Sequence, residues 1–174
     1  MLKTAGICLI LLAGAGIGFS KSLEYTEREK KLAAFLQAVI YLKGEIRCGS
    51  ASLAEAFAGI AGRMSGEFRE FFACAARELE SGGNTGRPLG TVIRRCGETC
   101  LGEIPFSAEE RELTGSLGDR LGYLDREMQL RQLELLEEEV RRQLEGLRRE
   151  LPQKKKLCQS LGVLGAMLLV ILLW

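Results

Sequence analysis

Leu133-Glu134-Leu135-Leu136-Glu137-Glu138-Glu139-Val140-Arg141-Arg142-Gln143-Leu144-Glu145-Gly146-Leu147-Arg148-Arg149-Glu150-Leu151-Pro152 decides the class of fold. Leu133, Leu136, Val140, Leu144, Leu147 and Leu151 recur at alternating steps of three and four, which is the period of one face of an α-helix. Leu121, Leu124 and Met128 extend the pattern toward the N-terminus. One long helix is therefore predicted from about Asp119 to Leu151, ended by Pro152, which has no N–H to continue the ladder. The acidic and basic residues between the leucines read either as an exposed coiled-coil surface or as a solvated face of Glu–Arg pairs.

The same period governs the rest of the middle of the chain. Leu32, Phe35, Leu36, Val39, Ile40, Leu42 and Ile46 make one apolar stripe between Leu23 and Cys48, and Gly49 is a helix stop. Ser52-Leu53-Ala54-Glu55 and Ser107-Ala108-Glu109-Glu110 are capping boxes, in which a serine oxygen and a glutamate satisfy orphan backbone donors at a helix start. Phe68, Phe71, Phe72, Ala75 and Leu79 give a third helix before Ser81-Gly82-Gly83-Asn84-Thr85-Gly86 breaks the pattern. Pro88 opens a fourth with Leu89, Val92, Ile93, Cys96 and Cys100 inward, and Leu113 and Leu117 lie on a fifth. β-Branched residues are few and no alternating run is bounded by hairpin turns, so the expected fold is all-α: an antiparallel bundle of about six helices.

The ends differ in composition. After Lys154, Lys155 and Lys156, residues 157–174 carry no charge and reach roughly 27 Å as a helix, close to the hydrocarbon thickness of a bilayer. Residues 4–19 are likewise uncharged and reach roughly 24 Å. A signal peptide is the rival reading for that segment, but its single Lys3 is a weak basic region and Gly18-Phe19-Ser20 a poor cleavage site. The expected domains are an N-terminal span in 1–21, a bundle in 22–152 and a C-terminal span in 153–174. Lys21 and Lys154 to Lys156 would lie at the membrane surface, and the excess of basic residues between the spans puts the bundle in the cytoplasm. Gly14 with Gly18, and Gly162 with Gly165, are small residues suited to packing within the spans.

Net charge is only +1 from 24 basic and 23 acidic residues, and the basic residues crowd the approach to the second apolar run. That distribution argues against nucleic acid and for a lipid surface. There is no histidine, no nucleophile elbow and no isolated carboxylate pair, so no catalytic, cofactor-binding or metal residues are assigned, and neither an enzyme nor a small-molecule substrate is expected. Gly82-Gly83-Asn84-Thr85-Gly86-Arg87 follows a helix and lacks the lysine and hydroxyl of a phosphate loop. The six cysteines fall in helical patterns and are expected as reduced thiols packed like small apolar residues, although Cys96 and Cys100 have the spacing of half a metal site.

Several short segments, weak singly, carry a likeness by their order: Glu45-Ile46 with Gly49, Leu53-Ala54-Glu55-Ala56, the run Leu117-Gly118-Asp119-Arg120-Leu121-Gly122-Tyr123-Leu124-Asp125 with Gln129, and Ser160-Leu161-Gly162-Val163-Leu164-Gly165. In these the chain resembles stage III sporulation protein AB, a family itself similar to the platform protein of type II secretion and type IV pilus machines. The resemblance implies a non-enzymatic scaffold in the mother-cell membrane facing the forespore. Its implied partners are a secretion-type ATPase and other membrane proteins of the sporulation channel. Within the run, Gly118 and Gly122 would let backbones approach closely, while Asp125 and Gln129 offer hydrogen bonds. With Leu121 these are the candidate interaction residues, serving either a tight crossing inside the bundle or a partner. The alternative to a channel scaffold is a membrane-tethered regulator or sensor that oligomerises through the long helix.

Overall fold

The computed structural model describes residues 2–48, 52–82, 88–122 and 125–173, with the helical backbone alone for 2–19 and for most of 161–173. Seven helices and no strand occur among the described residues: α1 (Leu2–Cys48), α2 (Leu53–Arg63), α3 (Gly66–Gly82), α4 (Leu89–Leu101), α5 (Ala108–Gly115), α6 (Leu117–Leu121) and α7 (Arg126–Leu173). The all-helical expectation holds. The chain divides into two compact units, one of residues 31–144 and one joining 1–30 with 145–174, so α1 and α7 each contribute to both.

Both capping boxes form. Ser52 and Ser107 accept from the backbone N–H of Glu55 and Glu110, and each glutamate accepts in return from its serine's own N–H. Gly66 opens α3 with φ of 60°, a left-handed conformation that costs other residues about 1–2 kcal/mol.

In the unit of residues 31–144, α2 packs on α3, α3 on α4, and α4 on α5 and α6. Aromatic rings tie these helices together. Phe35 of α1 stacks on Phe68, Phe57 of α2 meets Phe72 at 5.7 Å between ring centres, and Phe71 meets Phe72 edge-on at 4.9 Å. Phe106, from the segment between α4 and α5, reaches Phe68 at 6.5 Å. Six of the seven phenylalanines are thus buried in ring contacts, Phe35, Phe68 and Phe106 in one set and Phe57, Phe71 and Phe72 in another.

Leu133, Leu136, Val140 and Leu144 are buried in that unit, and Leu147 and Leu151 in the other. The leucine stripe therefore faces inward, which assigns the charges between to a solvated face. One pair is more enclosed: Lys43 of α1 donates to Glu137 of α7 at 2.6 Å, and Arg141 reaches the same carboxylate from one turn on. Arg126 donates to the carbonyls of Ile46 and Arg47, capping the C-terminal end of α1's described residues.

Three predicted boundaries are corrected: the fifth helix, expected to carry both Leu113 and Leu117, ends at Gly115, and Leu117 opens α6. The helix expected from Asp119 to Leu151 is divided, because the backbone of Gly122 turns extended (φ −74°, ψ 137°) and Asp125 starts a new helix by accepting from Met128 N–H at 2.8 Å. Nor does Pro152 end α7, which continues to Leu173. One missing donor does not stop a helix whose neighbouring turns are held, here by buried Leu147 and Leu151 before the proline and a Glu150–Lys154 ion pair across it. Met128, predicted inward, is exposed, because the break at Gly122 resets the helical phase. Leu124 lies outside the described residues.

No helix among the described residues is long and apolar enough to cross a membrane. The apolar runs 4–19 and 157–174 fall largely where side-chain surroundings are not described, and so do Gly14, Gly18, Gly162 and Gly165. Lys21 pairs with Glu24 at 2.7 Å, and Lys154 pairs with Glu150 while lying over the Tyr25 ring; Lys156 is exposed, and the Lys155 side chain is outside the description.

Two outcomes follow for stability. Phe72→Ala, which removes the ring that meets both Phe57 and Phe71, should cost about 3–5 kcal/mol in thermal or denaturant unfolding followed by circular dichroism. The hydrogen bond from Lys43, and secondarily that from Arg141, holds the Glu137 carboxyl below its ordinary range against the opposing effect of burial. A depressed carboxyl stabilises the fold above the ordinary range, and that contribution fades as pH falls through the lowered value. Glu137→Gln should therefore lower stability by about 1–3 kcal/mol at pH 7 and flatten its loss on acidification, read from unfolding midpoints across acid pH.

Candidate interaction surface

Gly118 meets Gly90 where α6 crosses α4. A Cβ built on Gly118 would stand 2.7 Å from the Gly90 Cα, 2.8 Å from the Leu89 carbonyl oxygen and 2.9 Å from the Gly90 nitrogen, all of them backbone atoms that cannot swing aside. From the other side, a Cβ on Gly90 would fall 1.9 Å from Asp119 Oδ1. The two glycines admit each other's backbone, and Asp119 then lies over the first turn of α4, where a helix favours negative charge. Arg94, one turn further along α4, donates to Asp119 and lies 3.8 Å from Glu112. The hydrogen bond it donates to Asp119, then the charge of that carboxylate, raises the Arg94 guanidinium above its ordinary value.

The remaining candidate residues fasten the join between α6 and α7. Leu121 is fully buried beside Leu117. Gly122 returns its N–H to Gly118 O, and a Cβ there would make only ordinary contacts, at 3.5 and 3.9 Å. Asp125 caps α7, and Gln129 donates its side-chain amide to the Leu121 carbonyl at 3.0 Å, tying α7 back to the end of α6. Arg120 ties the same region to α7 through Glu139 at 2.8 Å. Gly118, Leu121, Asp125 and Gln129 thus do structural work that the run's sequence left open between packing and docking. Of the five candidates, only Asp125 presents an exposed side chain.

Beside this crossing a groove of about 400 Å³ opens between α4 and α5. Ile93, Leu101 and Phe106 supply its apolar wall, Gly97 and Gly115 also line it, and Arg94, Glu98, Arg111 and Glu112 stand at its rim. Arg111 donates to the Gly102 and Ile104 carbonyls, pinning the segment that carries Phe106. Sequence reasoning passed over this groove. Gly90 and Gly97 inside a helix were the available signal, since each costs about 1 kcal/mol against alanine and so asks for a packing reason.

On the chemical side, Cys48, Cys74, Cys96 and Cys100 are free thiols. No group of three or more Cys, Asp or Glu among the described residues is placed to hold a metal ion.

Fold and surface together define an all-helical bundle protein with two long helices, α1 and α7. The sequence pattern of the stage III sporulation protein AB family matches residues 3–174, and the chain belongs to that family. A solved structure of a stage III sporulation protein AB is similar in fold, with a TM-score of 0.64 at 19% identity over 72% of this chain and 96% of that one. Comparison with curated proteins gives no match.

If the glycine crossing holds α6 in place, Gly118→Ala should destabilise the fold by about 1–3 kcal/mol, whereas Gly122→Ala should stay within about 0.5 kcal/mol, both by thermal unfolding.

Proposed function

We propose that this protein is a non-enzymatic scaffold of the sporulation channel, held in the mother-cell membrane facing the forespore by spans within 1–21 and 153–174. Its bundle lies in the cytoplasm, where it engages a secretion-type ATPase and other membrane proteins of the channel. Membership of a sporulation family over residues 3–174 supports the sporulation role.

The observation that carries the membrane half is the outward face of α7. Leu157, Leu164 and Met167 are 59%, 60% and 49% exposed, on a stretch with no charge after Lys156. Large apolar side chains turned outward on a charge-free helix suit lipid rather than water. For the partner half, the Ile93–Leu101–Phe106 groove offers an apolar floor within a ring of both charges, the composition of a protein-docking site rather than of a substrate pocket. The structure also offers a reason against the oligomerising regulator, because the leucines that would form a coiled-coil seam are buried.

Two measurements test this reading. Full-length protein should stay with the membrane fraction after alkaline extraction; release into the supernatant would refute the anchors. In detergent it should bind the cognate secretion-type ATPase, and Glu98→Lys at the groove rim should weaken that binding about tenfold, or about 1.4 kcal/mol. Undiminished binding would move the docking surface elsewhere.

A further inference from the structure

Cys74 on α3 and Cys96 on α4 face each other with sulfurs 2.8 Å apart, although they are 22 residues apart in sequence. Cys100, one turn beyond Cys96, interacts with Cys74 as well. Three of the six cysteines therefore meet at one helix interface, which the scaffold role does not use. Their access differs: Cys96 is sealed at 1% exposure, whereas Cys74 and Cys100 are half-buried.

We propose that Cys74 and Cys96 form a redox-active thiol pair that closes to a disulfide joining α3 to α4 when a peroxide reaches Cys74. The sulfurs are already in contact, so the two atoms that would bond start side by side. Access divides the roles, and burial reinforces the division. Burial first, and the hydrogen bond with Cys74 second, push the Cys96 thiol up to about 12, so it stays protonated near neutral pH and is a poor first nucleophile. Burial raises Cys100 as well. Cys74, open to solvent on one side, is left as the attacking sulfur.

Its thiolate attacks one peroxide oxygen, the O–O bond breaks, and Cys74 becomes a sulfenic acid while the departing hydroxide takes up a proton as water. The Cys96 sulfur then attacks the Cys74 sulfur. The S–S bond forms as the S–O bond breaks, and the Cys96 proton leaves with the hydroxide as a second water. Two thiols have given up two electrons and two hydrogens, and one peroxide has become two waters. The product is a covalent staple between the helix carrying Phe68, Phe71 and Phe72 and the helix bearing Ile93 and Arg94 of the groove.

The test uses the full chain in detergent, exposed to hydrogen peroxide and then alkylated under denaturing conditions. Reactive thiols should fall from six to four, with the loss of two hydrogens in intact mass and a Cys74–Cys96 peptide on non-reducing digestion. Cys48→Ser, which starts with five thiols, should fall to three and give the same Cys74–Cys96 peptide. Cys96→Ala, which keeps a small apolar side chain in the core, should stop the reaction at a Cys74 sulfenic acid trapped by a dimedone probe. Retention of both thiols under peroxide, or a bond mapped to any other pair, would overturn the proposal.

Discussion

The close approach of Gly118 to Gly90 is the constraint on which the arrangement of α4 to α7 depends. Two side-chain-free backbones meet there, and no other residue fits at Gly118 without striking main-chain atoms. That contact seats Leu117 and Leu121 in the core, brings Asp119 onto the start of α4 and within reach of Arg94, and delivers the chain to Gly122 at a defined point. The start of α7 is fixed relative to that point. Asp125 caps the next helix, Gln129 bonds back to Leu121, and Arg126 closes the end of α1.

Legibility in the sequence followed the strength of each local signal. Apolar periodicity and capping boxes are properties of a few neighbouring residues, so the helical class, core positions such as Leu32, Phe72, Ile93 and Leu136, and the caps at Ser52 and Ser107 could be read. The division at Gly122 could not, because both sides keep helical spacing and only Asp125, as a cap, marks the restart. Pro152 misled in the opposite sense: a proline's local preference to end a helix was overridden by the turns around it. Leu36, Ile40 and Ile46 share the helical period with Leu32 and Val39, yet they are only partly buried, since period alone gives a face and not its width.

Long-range meetings were the least legible part of the site. Nothing near Gly118 in sequence names Gly90 as its partner, and nothing near Phe106 announces that a residue outside any helix joins the ring contacts by touching Phe68. The same holds for Cys74 and Cys96. Their helical spacing explains why each faces the interior, but only the crossing of α3 with α4 brings the two sulfurs together.

The run that most clearly carries the family likeness turns out to be occupied in holding helices together. Gly118 and Leu121 are buried, Asp125 Oδ1 caps α7, and the Gln129 amide bonds back to Leu121. A surface that must bind and release a partner cannot use groups already spent on the fold without loosening it. The groove between α4 and α5 escapes that conflict. Its apolar wall borrows residues packed from behind, while Glu98 and Glu112 at its rim have their side chains largely in solvent. The glycine crossing thus shapes the proposed docking surface without belonging to it, by fixing where Arg94 and the start of α4 stand. A substitution that weakens partner binding with the fold intact belongs on the rim, and one that weakens both belongs at the crossing.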